Sequence, residues 1–210
     1  MDVLSGILLT NYREMTHMNA QTLVFTPISR PNFRRKRNYI EPVLLSPFQR
    51  ILLTTNGTVT DIIEALTGEQ IKLKKLSENK IQLEENILPM QLKKGAEVIA
   101  RKVLLQGSMS HRNYVYAESI LVFDRLDEKM QNQLLNTKTP IGKLWVENKV
   151  EIFKENIELG KEPAGDLADY FQIEPEENIL YRTYCVLSNH HQYTMMITEK
   201  FPETNFLRII

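Results

Sequence analysis

Four charged side chains stand where this sequence should be burying carbon. Side chains alternate faces along a strand. In Thr194-Met195-Met196-Ile197-Thr198-Glu199-Lys200-Phe201-Pro202, Glu199 therefore shares the more apolar side with Met195, Ile197 and Phe201. The same test puts Arg101 with Ile99, Val103 and Leu105, and Arg182 with Leu180, Tyr184 and Val186. Glu118 falls with Tyr114, Tyr116, Ile120 and Val122. A buried carboxylate without a partner is costly or becomes protonated. Each acid thus needs a cation inside or a reaction to serve. Structural ion pairs are one answer, although buried pairs add little net stability over apolar replacements. Convergent charges in an apolar pocket are more typical of a small-molecule site. Two guanidinium forks suit a dicarboxylate, and a glutamate beside them suits acid–base work. The chemistry indicated is proton transfer on an anionic organic substrate.

Other candidates carry less. His190-His191 sits at a turn, and neighbouring residues of a strand point to opposite faces, so a shared metal is not expected. His17 and His111 are lone residues in loops. Cys185 shares a face with Thr183 and Leu187 and reads as a small packing residue.

The elements that position these groups follow from periodicity and caps. Ser46-Pro47 opens a helix, with Ser as N-cap and Pro in the first position, and Asn56-Gly57 ends it. A second helix starts near Thr58 and ends at Gly68. Ile71 to Leu76 and Lys80 to Leu83 read as a hairpin through Ser77-Glu78-Asn79. Glu97 to Leu105 and Tyr114 to Phe123 form a longer strand pair. Leu126 to Leu135 is an amphipathic helix, Thr139-Pro140-Ile141-Gly142 begins another, and Leu167 to Phe171 is a third short one. Val150 to Leu159 is strand-like or mixed, and Asn178 to Leu187 pairs with Gln192 to Phe201 as a closing hairpin. The expected class is α+β: an antiparallel sheet of about six strands, one face covered by helices. No internal sequence repeat and no glycine-rich phosphate loop is evident.

Composition bounds the partners. At 210 residues the chain suits one domain over 45–210 with an N-terminal arm over 1–44, which prolines at 27, 31 and 42 interrupt. Formal net charge is zero, with 42% hydrophobic and 25% charged residues, so no general field draws in nucleic acid or anionic lipid. The one dense basic cluster, Asn32 to Asn38, reads as a solvated arm. A single cysteine fits a reducing compartment, and no apolar run reaches the length of a membrane span. The expectation is a cytoplasmic protein, monomer or homodimer, with a small anionic partner and neither nucleic acid nor membrane insertion.

Four segments occur in an order and spacing that resemble one family. They are Ala100-Arg101-Lys102-Val103-Leu104-Leu105, Tyr116-Ala117-Glu118-Ser119, Lys138-Thr139-Pro140-Ile141-Gly142-Lys143 and Ile197-Thr198-Glu199-Lys200-Phe201-Pro202. From about Leu45 to Phe206 the chain resembles the chorismate pyruvate-lyases, in the branch found in mycobacteria, archaea, cyanobacteria and red-algal plastids. The resemblance implies a buried ligand, no cofactor, and loss of pyruvate from chorismate to give 4-hydroxybenzoate; in a plastid-encoded chain the compartment would be the stroma. It implies that Arg101 binds a carboxylate, that Glu199 sits at the reacting centre, and that Thr58-Val59-Thr60 covers the ligand. The ubiquinone-pathway lyases carry an arginine where this chain has Glu118. Arg182 is expected to replace it as the second cation, with Glu118 contacting substrate or orienting an arginine. The alternative is a non-catalytic sensor of an aromatic acid, since the same fold serves as an effector domain in some transcription regulators.

Overall fold

The computed structural model describes residues 40, 44–188 and 192–207. The arm expected over 1–44 lies outside them apart from residues 40 and 44, as do the basic cluster, His17 and the His190-His191 turn tip.

Local chemistry sets the first two helices. Ser46 and Gln49 close a reciprocal capping box: Gln49 N–H donates to Ser46 Oγ at 3.1 Å and Ser46 N–H to Gln49 Oε1 at 2.8 Å. With Pro47 fixing the first turn, helix α1 runs Pro47–Thr54. Helix α2, Val59–Thr67, stops at Gly68, whose φ of 70° is the left-handed conformation a glycine adopts without a Cβ penalty.

Six antiparallel strands follow: β1 (Ile71–Gln82), β2 (Glu97–Gly107), β3 (Asn113–Leu121), β4 (Ile152–Pro163), β5 (Asn178–Ser188) and β6 (Tyr193–Pro202). Their order across the sheet is β1-β2-β3-β6-β5-β4. Between β3 and β4 lie α3 (Glu128–Asn136), capped by Asp127, and α4 (Ile141–Glu147); α5 (Ala168–Phe171) precedes β5. The hairpin expected across Ser77-Glu78-Asn79 is instead one strand. β1 keeps pairing with β2 through a bulge between Lys75 and Ser77, which absorbs the break in alternation.

Although the sequence shows no repeat, the architecture does. Two helices and a three-stranded meander, α1-α2-β1-β2-β3, are followed by the same order, α3-α4-β4-β5-β6, with the short α5 inserted between β4 and β5. β1 and β4 are both 12 residues long, β2 and β5 both 11, and the bulge in β4 between Asn156 and Glu158 falls where the one in β1 does. Arg101 and Arg182 are each the fifth residue of their strand, and so occupy equivalent places in the two halves.

Helices α1 to α4 cover one face. α1 and α2 pack Leu52, Leu53, Val59 and Ile63 against Leu105, Leu180 and Phe201, and α3 and α4 pack Met130, Leu134, Leu144 and Trp145 against Tyr184, Met195 and Ile197. The second face is covered as well, which the sequence did not suggest: Ala164, Ala168 and Phe171 bury Leu104, Tyr116 and Ile179. The second face is thus apolar around Leu104, Tyr116 and Ile179, while Glu118, Thr198 and Lys200 keep the rest of it half-exposed.

Candidate active site

A cavity opens between the helix-covered face and the first turns of α2 and α4. Its wall is apolar, with Leu73, Val103, Leu105, Ala117, Ile197 and Trp145, and its rim carries Thr58, Val59, Thr60 and Pro140 to Gly142. The space that no atom fills is about 560 Å³ with the open mouth included, of which about 50 Å³ has room for the centre of a water molecule. Three charged side chains line it: Arg101, Glu199 and Lys154. A larger, open depression at Gln82 to Glu85 and Lys94-Gly95 lacks any such enclosed convergence.

Glu199 points inward as expected, and of the two inward arginines it is Arg182, not Arg101, that meets it. Arg182 and Glu199 are register partners across β5 and β6, and Arg182 Nε donates to Glu199 Oε2 at 2.6 Å. Tyr184 Oη donates to the other oxygen at 3.1 Å. Arg182 also gives Nη1 to Thr55 O at 2.8 Å, and its guanidinium lies 5.0 Å from the Tyr184 ring centroid. It is fully buried and does not reach the cavity surface. Burial works against its charge, but Glu199, with Tyr184 adding, raises its pKa overall. Arg182, expected to bind substrate, is thus placed to fix the Glu199 carboxylate and not to line the cavity.

Arg101 reaches the cavity with its hydrogen-bonding capacity largely unused. Its Nε lies 3.3 Å from Glu78 Oε2, an ion-pair distance, yet the alignment leaves Nε without a true hydrogen bond. Nη2 is buried and has no acceptor among the described residues. Burial lowers the Arg101 pKa from its ordinary value, with Glu78 partly offsetting. Buried guanidinium donors of this kind call for an anion. Glu78 escaped sequence reasoning because Ser77-Glu78-Asn79 resembles a turn. In the strand it stands directly opposite Arg101 and is tied to Lys75 at 2.7 Å.

Glu118 is not part of this cavity. It pairs in register with Lys102 and Thr198, on the sheet face opposite to Arg101 and Glu199. There it accepts from Tyr116 Oη at 2.7 Å and has Lys102 Nζ at 3.8 Å. Of the residues expected to share its face, Tyr116 packs on this second face, whereas Tyr114 belongs to the core under α1 and α2. Neither Arg101 nor Arg182 takes its orientation from it.

Thr58, Val59 and Thr60, expected to cover a ligand, stand at the rim of the cavity. Thr58 is the N-cap of α2, and its hydroxyl turns to Asp61 rather than to a backbone N–H. The N–H groups of this first turn thus have no side-chain cap. Gly142, at the start of α4, packs so closely that a Cβ there would lie 2.9 Å from Thr58 Cγ2.

Lys154 was missed. Its β4 neighbours Phe153 and Leu159 are exposed, and the bulge after Asn156 breaks the alternation, so the strand reads as mixed. The available signal was Ile152, which packs into the core two residues earlier and therefore on the same face. Lys154 Nζ donates to Gly57 O at 2.7 Å and lies 5.5 and 5.1 Å from the Trp145 and Tyr184 ring centroids.

Cys185 is buried on the far face, and burial, with Glu155 adding, pushes its thiol up to about 12, which does not suit a nucleophile. Among the described residues no group of three or more His, Cys, Asp or Glu could hold a metal, and no helix is long and apolar enough to cross a membrane.

The fold is shared with regulator domains. PhnF from Mycobacterium smegmatis aligns with a TM-score of 0.59 at 9% identity over 73% of this chain and 67% of that one. A GntR-family regulator from Enterococcus faecalis V583 aligns with a TM-score of 0.52 at 9% identity, covering 66% and 98%. At such identities the likeness concerns the fold alone. In sequence, the chorismate pyruvate-lyase of Mycobacterium leprae is 28% identical over 159 residues, 75% of each chain. That of Mycobacterium tuberculosis H37Rv is 28% identical over 165 residues, covering 75% of this chain and 80% of that one. The family model for Rv2949c-like chorismate pyruvate-lyases matches residues 53–207, most of the described domain, and the chain belongs to that family.

Proposed function

We propose that the protein is a chorismate pyruvate-lyase, converting chorismate to 4-hydroxybenzoate and pyruvate for quinone or related aromatic biosynthesis. The observation that carries this reading is a buried arginine with unpaired donors sharing one apolar cavity with a fixed carboxylate. Arg101 takes the ring carboxylate of the substrate. Glu199 accepts the proton on the ring carbon that bears the hydroxyl. The electron pair of that C–H bond completes the aromatic ring, and the carbon–oxygen bond to the enolpyruvyl group breaks with its pair leaving on oxygen. The departing enolpyruvate gains a proton at its methylene carbon and becomes pyruvate, so the balance needs no oxidant or reductant.

The chain's own contributions are position and exclusion of water. Arg182 and Tyr184 hold one lone pair on each Glu199 oxygen, which limits the directions from which the carboxylate can accept a proton. Thr58 to Thr60 and the start of α4 cover the bound ring.

The regulator-like fold favours a second reading, a sensor that binds an aromatic acid without turning it over. Incubating the purified protein with chorismate decides between them. Matched release of 4-hydroxybenzoate absorbance and pyruvate supports the lyase; saturable binding of 4-hydroxybenzoate with no product from chorismate supports the sensor.

A further inference from the structure

Lys154 has no place in the chemistry assigned to Arg101 and Glu199, yet it lines the same cavity. It is 7% exposed, rare for a lysine, and it forms no ion pair among the described residues. Its ammonium has three donors; Gly57 O takes one. Trp145 and Tyr184 flank the charge with ring faces, which stabilise a cation without satisfying its N–H groups. Arg101 stands on β2 and Lys154 on β4, four intervals apart in the sheet order. At about 4.8 Å per interval the two backbones are roughly 19 Å apart, and both long side chains reach into the space between. Glu199, on β6, belongs to a strand that lies between theirs.

We propose that Lys154 is the second anion-binding residue of the cavity, so that the site takes an elongated dianion with one carboxylate on Arg101 and the other on Lys154. This rests on the lyase reading and specifies it: the Lys154 ammonium holds the carboxylate of the enolpyruvyl arm and, after bond breaking, that of the departing pyruvate. The reacting ring carbons then lie over Glu199. It also locates the second cation that Arg182, sealed behind Glu199, does not supply. A product with a single carboxylate on Arg101 leaves Lys154 unengaged, so Lys154 discriminates substrate from 4-hydroxybenzoate.

The test compares a dianion with a monoanion in Lys154→Met, using chorismate turnover and 4-hydroxybenzoate binding on the full chain. The expected result is a rise in KM for chorismate of about tenfold or more, while the Kd for 4-hydroxybenzoate stays within about twofold. Lys154→Arg should recover part of the loss. Unchanged 4-hydroxybenzoate binding also certifies the fold; if Lys154→Met does not fold, Lys154→Gln, which keeps an N–H donor and drops the charge, takes its place. A wild-type enzyme that turns over chorismate with the same KM as the charge-free variant overturns the inference and leaves the lyase reading intact. Equal weakening of both ligands overturns it too, since that marks a merely structural lysine. Failure of the wild type to bind or convert chorismate overturns both readings.

Discussion

Arg182 and Glu199 face each other across the β5–β6 ladder, 2.6 Å apart between Nε and Oε2 and almost wholly withdrawn from solvent. Arg182 spends a further donor on Thr55 O, so the pair also ties the end of α1 to the sheet beneath the cavity. An ion pair in this setting orients a carboxylate more than it stabilises the fold. Its second effect is on the rim, because Thr55 leads directly into Gly57 and Thr58.

The first prediction separates turnover from binding at Glu199. Glu199→Gln preserves the shape and one acceptor for Arg182 but removes the proton acceptor. kcat on chorismate should fall by about 10²- to 10⁴-fold with KM changed far less. Steady-state kinetics check this, and wild-type turnover in the variant would remove Glu199 from the reaction.

Removing the other partner should act on stability. Arg182→Met leaves the Glu199 carboxylate buried without its cation, a loss of about 3–5 kcal/mol by analogy with broken buried pairs. Urea unfolding midpoints measure it. The double variant Arg182→Met with Glu199→Gln should recover part of the loss, because the stranded charge is then gone.

At Arg101 the expected effect is on affinity. Arg101→Ala should raise the Kd for 4-hydroxybenzoate by about tenfold or more. In the wild type the same ligand should raise the melting temperature in a concentration-dependent way, by mass action. A thermal shift that survives Arg101→Ala would show that the carboxylate is bound elsewhere.

Lys154 should carry its function at a cost to the free protein. Burial pushes its pKa down to about 8, with Glu199 opposing the drop and Arg182 adding to it. The folded value is thus below the unfolded one, near 10.4. Below pH 8 both states are charged and the folded state bears the whole burial penalty; between the two values the folded state sheds its proton first, so stability rises with pH. Lys154→Met should therefore be more stable than wild type at pH 7, by about 1–2 kcal/mol, with the advantage shrinking toward pH 10. Identical pH profiles of the unfolding midpoint would refute this.

An acid-side prediction concerns Glu69, which holds the turn between β2 and β3. Its carboxylate accepts from Ser110 Oγ at 2.6 Å, from Ser110 and Met109 N–H at 3.0 and 2.9 Å, and from Tyr114 Oη at 2.8 Å. The Ser110 hydroxyl first, then the backbone N–H groups, hold its pKa down to about 2. The stability it contributes is present above the unfolded value, near 4.3, and is lost as pH falls through about 2. The gap in unfolding midpoint between wild type and Glu69→Gln should accordingly be widest at pH 5 and above and narrow toward pH 2.

How far these residues could be read from the chain depended on which rule each obeyed. Glu199, Arg101 and Arg182 obey strict alternation on unbulged stretches, so their inward direction was legible. Which cation met which acid was not, because it depends on register: Arg182 and Glu199 oppose each other within the closing hairpin only after a bulge between Val186 and Leu187 shifts the pairing. Glu118 obeyed alternation too, but a sheet covered on both faces gives the same signature twice. Glu78 and Lys154 border the two bulges, where alternation resets and a turn-like tripeptide or an exposed Phe153 misleads.

The repeated architecture has one more consequence. Arg182 has Glu199 as its register partner; the equivalent partner of Arg101 is Ser119, which lines the cavity. One half of the molecule thus closes its arginine off with a hydrogen-bonded carboxylate, whereas the other gives Arg101 only the poorly aligned Glu78 and leaves its remaining donors unpaired at the cavity. By this logic Ser119→Glu would supply from within the counter-ion that the substrate brings, turning the protein into its own competitive inhibitor by a single side chain.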